Sequence, residues 1–383
     1  MEQPGRATWN RISPNDGTWT KWAVREIMAD HTRSSDTHLL KLSLPILDTN
    51  DIHLYLKDES THPTGSLKHR LARSLFLHGL CSGWIHRGRP IVEASSGSTA
   101  VSEAYFCRLL QLPFIAVVPE TISPGKLQEI ELLGGRTSLA PAGSIFERAT
   151  AVAKQVNGYY MDQFTLAEQA TDWRGNNNIA ESIFTQLANE RHPMPRYIVV
   201  GAGTGGTSAT IGRYIRYLAT DCRRPQLIVA DPERSVFFDY FRSGDRTLTS
   251  GATSRIEGIG RPRVEPSFIR DVIDSMIRVP DAASIASIRF LESQLGKKVG
   301  GSTGTNVFAA FQLISQMITT GTSGSVVTLL CDGGERYEDT YYSDHWLNEQ
   351  RIDIVDYLAT VEEFATSGKL EPKHLCKTAG WER

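Results

Sequence analysis

The chain has 383 residues, enough for a large core and more often two domains than one, and its 40% apolar and 22% charged residues are the balance of an ordinary globular protein. A formal net charge of −2 and the absence of any basic run exclude the electrostatic footprint of a nucleic-acid binder or of a protein held on an acidic membrane. The five cysteines (Cys81, Cys107, Cys222, Cys331 and Cys376) are odd in number, far apart and without a C-x-x-C pair, which argues against a disulfide framework and against a structural zinc or other metal site.

The opening, Met1-Glu2-Gln3-Pro4-Gly5-Arg6, leads into polar sequence without an apolar signal core, and no stretch is long enough to span a bilayer, so the expected location is cytoplasmic. Residues 1–51 read as a lead-in with some helix from Lys21 to Met28 and one apolar run, Leu39 to Leu47. Strand-like apolar runs follow at His53–Lys57, Pro90–Glu93, Phe114–Pro119, Tyr197–Gly201, Leu227–Asp231 and Val326–Cys331. Between them lie helical patterns at Ala100–Leu112, Lys126–Leu133, Ser144–Val156, Ile179–Asn189, Ser208–Leu218, Ala282–Leu295 and Asn306–Thr319. Continuous runs such as Ile198-Val199-Val200 suit strands buried on both faces of a parallel sheet, and the alternation throughout means an α/β fold. Gln163–Asn178 and Arg242–Pro266 read as long loops, of the kind that serve as lids or substrate segments. After Tyr342 comes a tail with one amphipathic helix pattern carried by Ile354, Leu358 and Val361, expected to pack on the body or on a partner subunit.

Four loops carry the chemistry. Pro63-Thr64-Gly65-Ser66-Leu67-Lys68-His69-Arg70 puts one lysine just past a Gly-containing turn, at the start of an apolar helix pattern that includes Leu71, Leu75 and Leu80. Ser95-Ser96-Gly97-Ser98-Thr99 follows a strand and opens a helix, a place where backbone N–H groups and the helix dipole favour an anion such as a substrate carboxylate. Gly201-Ala202-Gly203-Thr204-Gly205-Gly206 has the G-x-G-x-x-G spacing after a buried strand, with Asp231 at the end of the next one. That is the context of a dinucleotide site, but the same physics fits a monophosphate, and a nicotinamide-linked oxidoreductase stays open on this motif. Gly301-Ser302-Thr303-Gly304-Thr305 precedes the helix near Asn306. Helix capping or a plain tight turn accounts for each loop taken singly. A placed lysine together with loops of Gly and small hydroxyl residues suits a cofactor with an aldehyde, a phosphate and a ring nitrogen: pyridoxal 5'-phosphate, held by Lys68 as a Schiff base.

From about Thr37 to Tyr342 the combination resembles the cysteine synthase/cystathionine β-synthase family of fold-type II pyridoxal-phosphate enzymes. Lys57-Asp58-Glu59 followed by Pro63–Arg70 is similar to the family signature K-x-E-x-x-N-P-T-G-S-x-K-D-R, with Lys68 on the Schiff-base and catalytic lysine. The resemblance implies that Ser95, Ser96, Gly97 and Thr99 bind the substrate carboxylate, and that Gln163, of the Gln163-Phe164 pair, approaches the same group. It further implies Gly203, Thr204, Gly205, Gly206 and Thr207 on the phosphate, Ser302 at the pyridine nitrogen, Ser98 at the cofactor, and Gly258 in a Gly-rich segment near the substrate. Asp332-Gly333-Gly334-Glu335-Arg336-Tyr337 is similar to a late G-E-R-Y of the family. His62 stands in place of Asn, His69 in place of Asp, Ser98 in place of an Asn, and Asn176-Asn177-Asn178 in place of a Thr-Gly run. The Ser98 and His69 departures, with the Glu257–Pro266 phrase and the Trp346-containing tail, resemble a bacterial branch associated with cysteine desulfhydrase activity.

The implied fold is tryptophan synthase β-like: a smaller α/β domain over 52–162, a larger one built from 1–51 plus 163–345, the cofactor in the cleft, and a helical tail over 346–383. The implied reaction is β-elimination on L-cysteine to hydrogen sulfide, pyruvate and ammonia, by a homodimer. β-Replacement, as in cysteine synthase or cystathionine β-synthase, is the alternative, because both share the first half-reaction.

Overall fold

A strand that is apolar at every position needs a helical layer on each face. Strands with a central apolar stretch buried on both faces form the middle of this structure, a computed structural model that describes residues 17–218 and 224–380. Cys222, the Met1–Arg6 opening and the last three residues of the tail lie outside the described residues. The strands are β1 (His38–Leu42), β2 (Ile52–Asp58), β3 (Ile91–Ala94), β4 (Phe114–Pro119), β5 (Arg136–Ala140), β6 (Tyr159–Tyr160), β7 (Tyr197–Gly201), β8 (Gln226–Pro232), β9 (Ser275–Val279), β10 (Gly324–Leu330) and β11 (Lys377–Gly380).

They form two sheets, one of seven strands in the order β1-β2-β10-β7-β8-β9-β11 and one of four in the order β5-β4-β3-β6. The smaller sheet is parallel throughout. The larger is parallel in its centre, with the antiparallel strands β1 and β11 at its edges. Successive residues of the central strands enter opposite cores: Val199 and Val326 pack on one face, Ile198, Val200 and Val327 on the other. That alternation gives the apolar runs their two layers of helices.

The partition differs from the sequence expectation in three places. Ile52–Asp58 belongs to the seven-stranded sheet, between β1 and β10, so the smaller unit does not begin at Ile52. Every residue of β2 is buried, with Leu54 and Leu56 in one core of the larger sheet and Tyr55 in the other. Conversely, the lead-in helix Gly17–Arg33 buries Ala23 and Ile27 in the core of the smaller unit, against Leu75, Phe76 and Phe106. Gln163–Ala170 is a helix rather than a loop, and Ala167 is buried in that same core, so the smaller unit extends past Asp162.

The tail is more than helical. Helices Asp344–Gln350 and Val355–Ser367 are followed by β11, which pairs with β9 and closes that edge of the sheet. Phe364 is fully buried and stacks on Phe311 with ring centroids 4.3 Å apart, so the tail is part of the larger core.

Candidate active site

The loops named by the sequence converge on two adjoining cavities between the sheets, of ≈ 480 Å³ and ≈ 160 Å³. Lys68, Gly203, Thr204 and Gly258 line both. Ser95, Ser96, Gly97, Ser98, Thr99, Gln163 and Ser302 line the larger, and Gly205, Gly206 and Thr207 the smaller. The fold therefore brings together every residue singled out as a candidate for the site.

Lys68 is placed by a turn and by the end of β10. Gly65 takes φ +70°, and its amide donates to the His62 carbonyl at 2.8 Å. The Leu67 amide donates to the Cys331 carbonyl at 2.9 Å, which pins the turn to the larger sheet. The helix Lys68–Cys81 then buries Leu71, Leu75 and Leu80. The Lys68 side chain makes no ion pair or hydrogen bond with other described residues, and burial pushes its amine below the usual lysine range, opposed by neighbouring Cys331 and Asp332. A neutral amine is the form that attacks a carbonyl or takes a proton.

The phosphate-type loop is positioned by close backbone approach. A Cβ on Gly203 would lie 2.2 Å from the Gly258 carbonyl oxygen, and Gly205, at φ +92°, packs against the Phe268 backbone, where a Cβ would come within 2.5 Å of Cα. Only glycine meets both demands. The loop runs into the 13-residue helix Gly206–Leu218, whose N-terminal amides supply donors for an anion.

On the other wall Thr99 donates its hydroxyl to Gln163 Oε1 at 2.8 Å. The Gln163 amide nitrogen, with no acceptor among the described residues, remains a donor for the cavity. Ser95 Oγ accepts from the Gly97 amide at 3.3 Å, and a Cβ on Gly97 would meet nothing within 4 Å. Gly258, at φ +84°, is equally open. Both glycines therefore leave free volume inside the larger cavity. Ser98 Oγ is engaged by Arg336, which donates from Nη1 at 2.7 Å and is itself paired with Glu129 at 3.3 Å. Ser302 lies in the first turn of the helix Gly301–Thr319, buried beside Cys331. Burial pushes the Cys331 thiol up to about 12, so it stays protonated.

These residues fit pyridoxal phosphate. A lysine amine without a partner among the described residues, a loop suited to an anion and a buried serine hydroxyl line the two adjoining cavities, whose glycines leave them open. A dinucleotide does not fit as well. Asp231, the acid such a site would aim at a ribose, is fully buried and accepts the Phe238 amide at 2.9 Å.

Sequence reasoning did not single out Cys331, Asp332, Lys126, Glu257 or Arg336. Asp332 lines the larger cavity and accepts the Tyr337 hydroxyl at 2.7 Å. Lys126 and Glu257 also line it and are joined by bonds of 2.7 and 2.8 Å. Asp332, Arg336 and Glu257 fall in phrases that matched the family, and a role for them was within reach. Lys126 looks like any helix lysine, and only the fold brings it to the cavity.

The family model for pyridoxal-phosphate dependent enzymes matches residues 35–332. The chain is 57% identical to L-cysteine desulfhydrase Cds1 of Mycobacterium tuberculosis over 353 residues, covering 91% of this chain and 95% of that protein. It is 30% identical to cysteine synthase B of Campylobacter jejuni, over 76% of this chain and 91% of the other. Among solved structures, O-ureido-L-serine synthase superposes with a TM-score of 0.68 at 24% identity, covering 82% of this chain and 96% of that one, which speaks for the fold. The chain belongs to the family of pyridoxal-phosphate dependent enzymes that includes the cysteine synthases.

Proposed function

We propose that this protein is an L-cysteine desulfhydrase, converting L-cysteine and water to hydrogen sulfide, pyruvate and ammonia. The observation that carries the reading is the 57% identity to a desulfhydrase along nearly the full length of both chains. When bound, pyridoxal phosphate supplies an electron sink conjugated to the substrate amine. The backbone amides of Gly203–Thr207 would hold its phosphate. Ser302 would meet its ring nitrogen with a hydroxyl, which does not keep that nitrogen protonated as a carboxylate would. Ser95, Ser96, Gly97 and Thr99, with the free amide nitrogen of Gln163, receive the substrate carboxylate and orient the Cα–H bond. Lys68, as a neutral amine, would take the α-proton. Loss of the β-sulfur as sulfide completes the elimination, and water hydrolyses the freed three-carbon enamine to pyruvate and ammonia.

Ser98 is a cofactor contact on this reading, and the Arg336 bond leaves its hydroxyl proton free to point into the cavity. We place the enzyme in the cytoplasm as a homodimer on family resemblance; among the described residues no helix is long and apolar enough to cross a membrane.

The test is a side-by-side measurement of kcat/KM for pyruvate from L-cysteine and for cysteine from O-acetylserine plus sulfide. Elimination is expected to dominate. Synthesis faster by more than about tenfold, about 1.4 kcal/mol of transition-state preference, would make the enzyme a cysteine synthase.

A further inference from the structure

The Ser95–Thr99 loop and Gln163 reach the cavity from different elements, yet one side chain holds both from behind. Glu93, in β3, is fully buried. One of its oxygens accepts the Ala94 amide at 2.6 Å and the other the Gln163 amide at 3.1 Å. Ala94 leads directly into the loop, and Gln163 opens the helix Gln163–Ala170. Glu103 lies in the helix that the loop itself opens, about one turn beyond Thr99. It too is fully buried, and among the described residues no N–H or O–H donates to either of its oxygens. Its neighbour is the Glu93 carboxyl.

Among the described residues no cation pairs with either acid. Two adjacent buried carboxyls cannot both carry charge, and a proton held between them turns the repulsion into a hydrogen bond. Glu93, with two amide donors, is the member suited to the charge; Glu103, with none, is the member suited to the proton. Burial raises both carboxyls above the usual range, Glu103 further, with the charge of Glu93 adding to the effect.

We propose that Glu93 is a positioning residue for the Ser95–Thr99 loop and Gln163, and that Glu103, by holding a proton against it, makes this positioning fail at alkaline pH. The proposal rests on the reading that this wall binds the substrate carboxylate. Loss of the shared proton puts a second negative charge beneath a loop that must receive an anion. The groups packed around the pair do not compensate. Tyr159, Tyr160 and Asp162 face it from β6 and the turn that follows, and Cys107 from the next turn of its own helix. All of these are neutral or negative. Arg89 lies over the Tyr159 ring and donates to the Trp84 and Gly158 carbonyls, and Arg263 is paired with Glu265.

The experiment uses the holoenzyme, with KM and kcat for L-cysteine followed from neutral to alkaline pH. Alongside, the dissociation constant of L-alanine, a carboxylate ligand with no leaving group, is read from the visible absorbance of the cofactor. Glu103→Gln keeps a donor for Glu93 and cannot ionise. It is expected to flatten the alkaline rise in KM and in the alanine constant relative to wild type, with kcat unchanged. The titrations of the ligands themselves are common to both proteins and cancel. Glu93→Gln loses one acceptor and is expected to raise KM at every pH, by about tenfold, with a smaller effect on kcat. Far-UV circular dichroism and cofactor absorbance report folding; should Glu93→Gln not fold, the Glu103→Gln arm decides. An alkaline rise in Glu103→Gln equal to that of wild type would overturn the proposal. If L-cysteine is not turned over at all, the functional reading fails, while the alanine titration still tests the positioning.

Discussion

Two buried clusters of charge flank Lys68, and they are built on opposite terms. Beneath its helix, Arg70 donates to Glu59 through Nε at 2.7 Å and Nη2 at 3.0 Å, and to Asp36 at 2.9 Å. Thr37 and His62 complete the shell of Glu59, at 2.8 and 3.0 Å. Lys57 donates to the Thr37 carbonyl and to Gln186, both at 2.7 Å. Every charge there has a partner of opposite sign or a full set of dipoles. Behind the Ser95–Thr99 loop, Glu93 and Glu103 have no cation among the described residues. The paired cluster fixes geometry at any pH near neutrality; the unpaired one fixes geometry only while a proton stays in place.

Lys68 belongs to neither cluster, and Lys68→Ala should be the largest single effect on function. Turnover is expected to fall by several orders of magnitude and the cofactor's visible band to be lost, because the anchor and the α-proton base go together. The thermal midpoint should stay near wild type, since no described ion pair or hydrogen bond depends on the side chain. Substantial residual pyruvate formation would move the chemistry to another residue.

Arg70→Met breaks the comparison by converting the first cluster into the second kind. It leaves Glu59 buried without its cation, and the expected cost is about 3–5 kcal/mol, read as a lower denaturant midpoint. The pH dependence should change sign. In wild type, burial alone would raise the Glu59 carboxyl, but Arg70 and His62 overcome this and hold it well below the usual range. Its contribution to stability is thus complete above the unfolded carboxylate value of about 4.3 and is lost as pH falls through the lower folded value. Without Arg70 the carboxyl is raised instead, so stability should fall as pH rises from about 4.3 towards neutrality. An unchanged acid profile would show that Glu59 does not depend on Arg70.

The phosphate-type loop offers a third mode, held by backbone contact with no buried charge at all. Gly205→Ala forces a side chain onto φ +92° and against the Phe268 backbone. Strain of about 1–3 kcal/mol is expected. It should appear as weaker retention of pyridoxal phosphate on dialysis, with Lys68 still competent when the cofactor is in excess.

These modes were unequally legible in the sequence. Lys68, the glycines and the hydroxyl loops could be read because each sits at a strand-to-helix junction, where local pattern and chemistry agree. The α/β alternation was legible for the same reason. The place of β2 was not, since which strand becomes its neighbour is set by pairing with β10, hundreds of residues away in the chain. Strands β5 and β11 were missed because they are short, polar-rich and at sheet edges. His62 and His69 were legible as departures but not as a stacked pair with ring centroids 5.0 Å apart. Burial pushes His69 down to about 3, with His62 and Arg73 adding to it, so it packs as a neutral ring against Thr64. The Glu93–Glu103 pair left no local sign, because an acid on a helix reads as a solvated face until the fold encloses it.

The smallest expected effect lies in the wall of the larger cavity, where the Lys126–Glu257 bridge links the helix Pro124–Leu132 of the smaller unit to the loop carrying Gly258. The two side chains are 26% and 40% exposed, unlike either buried cluster. Water screens such a pair and its geometry costs side-chain entropy, so Lys126→Ala should change stability by less than about 1 kcal/mol. Its influence is expected on substrate binding rather than on folding. The expected signature is a modest change in KM for L-cysteine that shrinks as salt is added, because salt already weakens the bridge in wild type. A loss of stability comparable to that of Arg70→Met would mean that the exposed pair is coupled to the core in the way the Glu59 cluster is. The distinction between buried charges that hold the fold and part-exposed charges that line the cavity would then not stand.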